Sequence, residues 1–366
     1  MKRIVVGVSS VILALGVFGL SQLWNAGADA QGRLQTPAVD LPLADTFMVP
    51  PADVQTTAIV QSAQAFLDTL DTAQRATAIY DFGDNTQRAN WSNFPDGAVQ
   101  RGGVMLGDMT TPQRAALDRL LSDVMSEDGV QNILYQLIGE DALGGGRGGG
   151  PRFGSEYYYT SFLGEPSTTQ PWMFQFGGHH LAINVTVFGS DLSFSPMLTG
   201  GEPLNIDVDG TSVYVVEKEV TAAQTFLASL TQSQQNEAIR GRKAINLLLG
   251  PGAFGTVIAP EGIKGSDLDD SQKALLMDVI SARIGFINAD DYAAKMAVVQ
   301  AGLDETYFGW WGPQDAIGTA YFRIIGPSLA IEFAPQDIDG DAADHAHNMF
   351  REPDNDYGSA WIGVAQ

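Results

Sequence analysis

All four histidines of the chain lie in two short pairs. His179 and His180 are adjacent in the segment FQFGGHHLAINV, which reads as a half-buried strand, and His345 and His347 lie in DHAHN. Residues i and i+2 of an extended segment point to the same side, so His345 and His347 can bind one ion. His179 and His180 would point to opposite faces of a regular strand, so one of them reaches that ion unless a bulge redirects the other.

Two pairs that meet in space would form a metal site. Three or four imidazoles, joined by Glu332 or Asp344, suit zinc, copper, iron or manganese. The spacing within each pair is not diagnostic of one metal. The alternative is that each pair is hydrogen-bonded separately, as core or rim histidines whose ring nitrogens both have partners.

Three further residues have side chains suited to catalysis. Arg351 and Tyr357 lie in the segment FREPDNDYG, where Arg351 can clamp a substrate carboxylate or phosphate and Tyr357 can donate a proton. Glu332 can handle a proton as well. The alternative is that Arg351 pairs with a nearby aspartate and holds the C-terminal segment. Residues 90–95 (NWSNFP) and Arg101 can line the same cleft.

Several classes of site are excluded by composition. The chain contains no cysteine, which excludes disulfides, thiolate metal sites, iron–sulfur clusters and a catalytic thiol. No G-x-S-x-G motif is present, although a metal-free hydrolase using one histidine as base stays open. The net charge of −23 disfavours binding to nucleic acid or anionic lipid.

The first thirty residues are typical of an export signal. Lys2 and Arg3 precede an apolar run from Ile4 to Leu20, and Ala28-Asp29-Ala30 resembles a cleavage site. The sequence therefore predicts a signal peptide over 1–30, a proline-rich tether over 31–54 and one domain over 55–366. The expected location is periplasmic or extracellular, without stable membrane insertion after cleavage; an uncleaved anchor is the alternative.

The elements that position the histidines occur twice along the chain. AQAFLDTLDTAQRATAI (63–79) matches AQTFLASLTQSQQNEAI (223–239), and GDMTTPQRAAL (107–117) is echoed by GSDLDDSQKALL (265–276). Each copy predicts two helices, the second starting after a capping residue near Thr111 or Asp270, and then aromatic-rich strands. This order favours an α+β fold with an antiparallel sheet and two copies, about 60–205 and about 220–358, packed about a pseudo-twofold axis.

The second copy of the histidine segment lacks the histidines. Aligning FQFGGHHLAINV with FRIIGPSLAIEF (322–333) places His179 opposite Pro327 and His180 opposite Ser328. The flanking Gly, Leu, Ala and Ile residues match. The histidines are therefore additions to a shared strand and indicate a local task.

Three longer stretches carry a resemblance to a known family. WSNFP…RGGVMLGDMTTPQRAA, YYYTSFLGEPSTTQPWMFQFGGHHLAINV…SPMLTGGEP and HAHNMFREPDNDYG are similar to the domain-of-unknown-function 3500 family, from about residue 60 to the end. The family has no established activity. The resemblance implies one duplicated domain whose signature falls on His179, His180, His345, His347, Arg351, Asp356, Tyr357 and Gly358.

Together these features predict an exported, monomeric or weakly associating protein with a histidine-lined cleft between two copies. The expected function is a metal-dependent enzyme, a hydrolase or an oxidoreductase, acting on a small polar or acidic substrate. The alternative from another class is a non-catalytic module that binds a metal or a small ligand.

Overall fold

The computed structural model describes residues 39–143, 152–337 and 340–364. The predicted signal peptide and residues 31–38 of the predicted tether lie outside these ranges. The α-helices are α1 Val54–Asp68, α2 Thr72–Ala78, α3 Asn85–Arg88, α4 Thr111–Val124, α5 Glu127–Leu143, α6 Glu217–Ser229, α7 Gln232–Ala238, α8 Asp270–Ile284, α9 Ala289–Ala301 and α10 Ser359–Ile362. Among the described residues, no helix is both long and apolar enough to cross a membrane.

Side-chain caps fix where the helices begin. Asp71 and Gln74 form a capping box at α2, and Asp269 and Gln272 form one at α8. Each box satisfies backbone N–H groups that the first helical turn leaves without partners. Helix α4 begins at Thr111 and helix α8 at Asp270, as the sequence predicted.

Most strands form one 13-stranded sheet. They are β1 Ile79–Tyr80, β2 Val104–Met105, β3 Tyr159–Leu163, β4 Trp172–Gly178, β5 Leu181–Phe188, β6 Asp191–Ser193, β7 Met197–Gly201, β8 Asn205–Val208, β9 Thr211–Tyr214, β10 Ile239–Gly241, β11 Ile263–Lys264, β12 Tyr307–Trp311, β13 Tyr321–Ile325, β14 Ala330–Pro335 and β15 Ala346–Arg351. Strands β8 and β9 form a separate hairpin. The predicted α+β class with a mostly antiparallel sheet is confirmed.

The sheet order places the last strands of the two halves side by side. The order is β1-β3-β4-β5-β7-β15-β14-β13-β12-β10, and β2, β6 and β11 pair beside this path. The central pair is β7 with β15, in which Thr199 lies opposite Asn348. The outermost pairs, β1 with β3 and β10 with β12, are parallel. The sheet therefore joins a first half, residues 54–201, to a second half, residues 217–351, at its centre.

Glutamines make the same contact in both halves. Gln113 Nε2 donates to Gln74 Oε1 at 2.7 Å, and Gln272 Nε2 donates to Gln234 Oε1 at 2.9 Å. Each of these glutamines also completes the capping box of its own helix. The contact ties a short helix to a long one in each half.

The two faces of the sheet are covered differently. Phe350 of β15 packs into an apolar core with helix residues such as Phe66 of α1 and Phe226 of α6. Met349, on the opposite face, packs with Trp91 and Leu249, which come from long connections. Each fully buried side chain of this size stabilises the fold by about 1.5–3 kcal/mol.

The described part of the predicted tether packs against the C-terminal segment. Val39 and Leu41 are buried. The Ala44 N–H donates to the Ile362 carbonyl at 2.9 Å, and the Val364 N–H donates to the Pro42 carbonyl at 3.0 Å. Residues 39–44 are therefore attached to the folded body, because their apolar side chains and backbone groups find partners there.

Candidate metal centre

The first histidine pair forms a turn. Gly178 pairs with Leu181, so His179 and His180 are the two residues that connect β4 and β5. The expectation of one strand through FQFGGHHLAINV was wrong, because the glycine-rich middle of the segment reverses the chain. The two imidazole rings stack with their centroids 3.7 Å apart. Both histidines therefore lie on the same side, which an uninterrupted strand would not allow.

The turn has an unusual backbone and buried supports. His180 has φ 58°, in the left-handed region that non-glycine residues seldom adopt. The Tyr158 hydroxyl donates to the His179 carbonyl at 2.6 Å, and Arg101 Nη2 donates to the Gly178 carbonyl at 3.0 Å. These contacts hold the turn, and with it both imidazoles, in one place.

The second histidine pair meets the first. His347 belongs to β15, and His345 immediately precedes that strand. His180 Nε2 lies 3.0 Å from His345 Nε2, and the ring centroids of His180 and His347 are 5.1 Å apart. The nitrogens that His180, His345 and His347 can offer to an ion all lie within 4.8 Å of one another. We call His179, His180, His345 and His347 the histidine cluster.

Two carboxylates contact the histidine cluster, each at an Nδ1 atom. Both carboxylate oxygens of Glu140, on α5, lie 3.0 Å from His179 Nδ1. Glu202 Oε2 lies 3.5 Å from His345 Nδ1. A carboxylate at the far nitrogen of an imidazole is the usual outer partner of a metal-binding histidine, since it fixes the ring and its tautomer. Glu140, His179 and His180 form a second group of ligand atoms within 4.8 Å.

The sequence reasoning missed both carboxylates. Glu202 belongs to the segment SPMLTGGEP, one of the stretches that carry the family resemblance, and this was the signal that could have found it. Glu140 lies in a helix and has no such local signal.

Burial keeps the imidazoles of His180 and His347 in the neutral form that binds metals. His179, His180, His345 and His347 are 5%, 1%, 4% and 7% exposed, so all four are shielded from water. Burial, and then the neighbouring imidazoles, lower the pKa of His180 and of His347 well below the usual value of 6.5. Metal binding requires neutral imidazole. His180 Nδ1 is buried and has no hydrogen-bond partner among the described residues.

Residues from the predicted cleft reach the histidine cluster. Asn93 Nδ2 lies 3.4 Å from His347 Nε2, and Asn93 is 7% exposed. The Asn93 Oδ1 atom has no hydrogen-bond partner within the described ranges. Arg101 Nη2 also donates to the Ser92 carbonyl at 2.9 Å, which holds the Asn93 segment beside the turn.

One protein family matches most of the chain. The family is described as protein of unknown function (DUF3500), and its sequence model matches residues 52–359. The chain belongs to the DUF3500 family. The resemblance seen in the sequence is thereby confirmed, and the matched range contains the histidine cluster, Glu140 and Glu202. No curated protein and no solved structure matches the chain.

Arg351 is hydrogen-bonded to the long connection between β10 and β11. Arg351 Nε donates to the Leu249 carbonyl at 2.8 Å, Nη2 donates to the Gly250 carbonyl at 2.9 Å, and Nη1 pairs with Asp356. It lies four residues beyond His347 on β15, which is about 13 Å along the strand. These contacts match the structural alternative, in which Arg351 pairs with a nearby aspartate, and they do not bring Arg351 to the histidine cluster.

Glu332, on the neighbouring strand β14, is hydrogen-bonded to the same connection between β10 and β11. Its carboxylate accepts hydrogen bonds from the Leu248 N–H at 3.0 Å, the Leu249 N–H at 2.6 Å and the Tyr321 hydroxyl at 2.5 Å. Burial raises the pKa of Glu332. Its carboxylate oxygens are bonded to this connection and to the Tyr321 hydroxyl, away from the imidazoles.

Tyr357 is part of the apolar core that contains Met349, Trp91 and Leu249. Trp91 Nε1 donates to the Tyr357 hydroxyl oxygen at 2.7 Å, and Tyr357 is 1% exposed. Burial raises the pKa of Tyr357. Proton donation by Tyr357 to a substrate at the histidines has no support in these contacts.

Proposed function

We propose that this protein binds one divalent transition metal ion at the histidine cluster. The observation that carries the proposal is the meeting of the two histidine pairs, with His180 Nε2 and His345 Nε2 3.0 Å apart in a buried position. Two nitrogens that each lie 2.0–2.1 Å from a tetrahedral zinc ion are about 3.3 Å apart. A small outward movement of the rings therefore accommodates an ion.

The outer partners support the same proposal. Glu140 contacts His179 and Glu202 contacts His345, each through Nδ1, so that Nε2 of either ring can face an ion. Separately hydrogen-bonded histidines would not need to place two Nε2 atoms against each other. The donors are nitrogen and oxygen, which fits zinc, copper, iron or manganese and excludes thiolate-specific sites.

A metal-dependent enzyme is the second candidate. Three imidazoles as ligands leave coordination positions free for water or substrate, and a metal there polarises a bound oxygen. One observation supports a bound substrate: the buried Asn93 Oδ1 has no hydrogen-bond partner among the described residues and lies on the side chain that contacts His347. A small polar or acidic substrate bound beside the ion would give Asn93 and Arg101 a partner. The low exposure of the histidine cluster favours the non-catalytic binding module instead.

Metal analysis tests the proposal. Protein produced without a histidine tag and loaded with zinc should retain about one ion per chain after dialysis, and His345→Ala should lose it. Ser328→Ala changes the corresponding turn between β13 and β14 and serves as the matched control, which should keep the ion. Absence of stoichiometric zinc, copper, iron or manganese in the wild-type protein would refute the proposal.

We also propose that the two halves of the domain, about 60–205 and about 220–358, derive from an internal duplication. Counted inward from the two ends of the sheet, β1, β3, β4, β5 and β7 take the same places as β10, β12, β13, β14 and β15. The glutamine contacts also recur in both halves. In this arrangement a pseudo-twofold axis passes between β7 and β15. The histidine cluster then combines a turn of the first half with a strand of the second.

We further propose that the protein is exported and that its signal peptide is cleaved. The apolar run and the cleavage-like Ala28-Asp29-Ala30 support a signal peptide. N-terminal sequencing of protein recovered outside the cytoplasm should begin at Gln31. An intact N-terminus on that protein would contradict cleavage.

A further inference from the structure

A cavity of about 400 Å³ lies where α9, the start of α1 and α10 meet the sheet, and none of the four histidines lines it. Its volume is within the range of small-molecule sites. Part of the lining is apolar and includes Ile284, Val299, Leu329 and Phe350. These side chains can bury the apolar body of a ligand.

The polar part of the lining is acidic. It contains five carboxylates and one ammonium group, on Asp53, Asp191, Asp290, Asp291, Glu352 and Lys295. Lys295 pairs with Glu352, and side-chain exposures of 16% and 11% show that this ion pair is largely buried. The charge of Lys295 also lowers the pKa of Asp191 and of Asp291, so one ammonium group serves all five carboxylates of the lining. Burial nevertheless raises the pKa of Asp291 to about 6, against the hydrogen bond from Asn288 and the charge of Lys295, and repulsion from Asp53 and Glu352 adds to the rise.

We propose that this cavity binds an organic cation, an amine with an apolar body. The ammonium group would lie against Asp291 and Asp191, and the apolar body against Leu329 and Phe350. A charge-assisted hydrogen bond from the amine relieves the repulsion between the carboxylates. An anion of the same shape meets repulsion, and a neutral ligand gains only the apolar contact.

A metal ion fits this cavity less well. Groups of three or more potential ligands that converge within 4.8 Å of one another occur, within the described part of the chain, at the histidine cluster and at Glu140 beside it. No three carboxylates of the described cavity lining therefore converge on one point. A ligand that contacts both the carboxylates and the apolar part of the lining matches the arrangement better.

Under the proposed duplication, the cavity borders the turn of the second half that corresponds to the histidine turn of the first. Ser328 and Leu329, from the turn between β13 and β14, line it. The turn between β4 and β5 holds His179 and His180 at the corresponding position. Each of the two turns therefore borders its own site, and the inference about the cavity does not depend on metal binding.

Isothermal titration calorimetry with matched probes tests the inference. Tryptamine carries an ammonium group, and tryptophol has a hydroxyl in its place on the same indole body. Full-length protein treated with a chelator should bind tryptamine at least tenfold more tightly than tryptophol at pH 7.5, since a hydrogen bond to a charged group contributes about that factor. Equal affinity for the two probes, or no saturable binding of tryptamine, would overturn the proposal.

Substitutions locate the binding. Asp291→Asn should weaken tryptamine binding by about tenfold and leave tryptophol unchanged. Asp191→Asn, at an exposed position that does not threaten folding, should weaken it in the same direction. Asp118→Asn, on the exposed face of α4 and outside the cavity, is the matched control. Tryptamine binding that is unchanged in both cavity variants, with thermal unfolding like the wild type, would contradict the site.

Discussion

Substitution of Glu140 by glutamine tests how the histidine cluster binds an ion. Both carboxylate oxygens lie 3.0 Å from His179 Nδ1, and Glu140 is 3% exposed, so water cannot replace the contact. With His179 as a further ligand beside His180, loss of such an outer partner lowers metal affinity by about 10- to 100-fold. This corresponds to about 1.4–2.7 kcal/mol of binding free energy. Glutamine has the same shape and lacks the charge, so the change isolates the carboxylate.

The measurement is a zinc competition titration against a chromophoric chelator at pH 7.5. Glu140→Gln should raise the zinc dissociation constant by about 10- to 100-fold and leave the stoichiometry at one ion. Glu219→Gln is the matched control, because Glu219 is also buried on a helix and accepts a hydrogen bond from Asn348 at 3.0 Å. Unchanged affinity in Glu140→Gln would refute the reasoning. An equal loss in Glu219→Gln would do so too, because the effect would then follow from any buried carboxylate.

Three further outcomes are expected. Arg351→Met should lower the free energy of unfolding by about 3–5 kcal/mol, because Asp356 loses its buried partner. Urea denaturation measures this loss. Metal analysis should show that bound zinc is unchanged, and loss of zinc from a folded variant would place Arg351 at the metal. Burial raises the pKa of Glu219 from 4.5 to about 7, so the folded state binds the extra proton and stability should fall by up to about 3 kcal/mol as pH rises through this window. Glu219→Gln should remove this pH dependence of the free energy of unfolding, which urea denaturation at pH 5 and pH 8 measures. If the variant keeps the pH dependence, other groups cause it. His180 has φ 58°, so metal-free His180→Gly should be more stable than His180→Ala by about 1 kcal/mol; equal midpoints of denaturation would show an unstrained turn.

Local signals in the sequence predicted the helices well. The starts of α4 and α8 at Thr111 and Asp270 follow from capping residues that act within one turn of the chain. The order of helices before strands also predicted the α+β class. These features depend on neighbours a few residues away, so a single sequence contains them.

The histidine segment shows where local reading failed. Its apolar residues alternate as in one strand, and the same pattern is found in two strands joined by a tight turn. The glycines at 177 and 178 were the available signal. A Cβ at Gly178 would lie 2.7 Å from the Tyr158 ring, so this position requires glycine for a contact that the sequence does not reveal.

The sequence by itself determined which atoms are available: imidazole nitrogen in two pairs, carboxylate oxygen and no thiolate. Only the tertiary structure decided which of them meet. Pairing across the sheet joined His180 to His345, and packing of α5 against the sheet placed Glu140 beside His179. Arg351 is instead bonded to the connection between β10 and β11. The reason is physical. A cap is completed within one turn of a helix, whereas the burial and partners of a side chain depend on residues that approach it only when the sheet has formed.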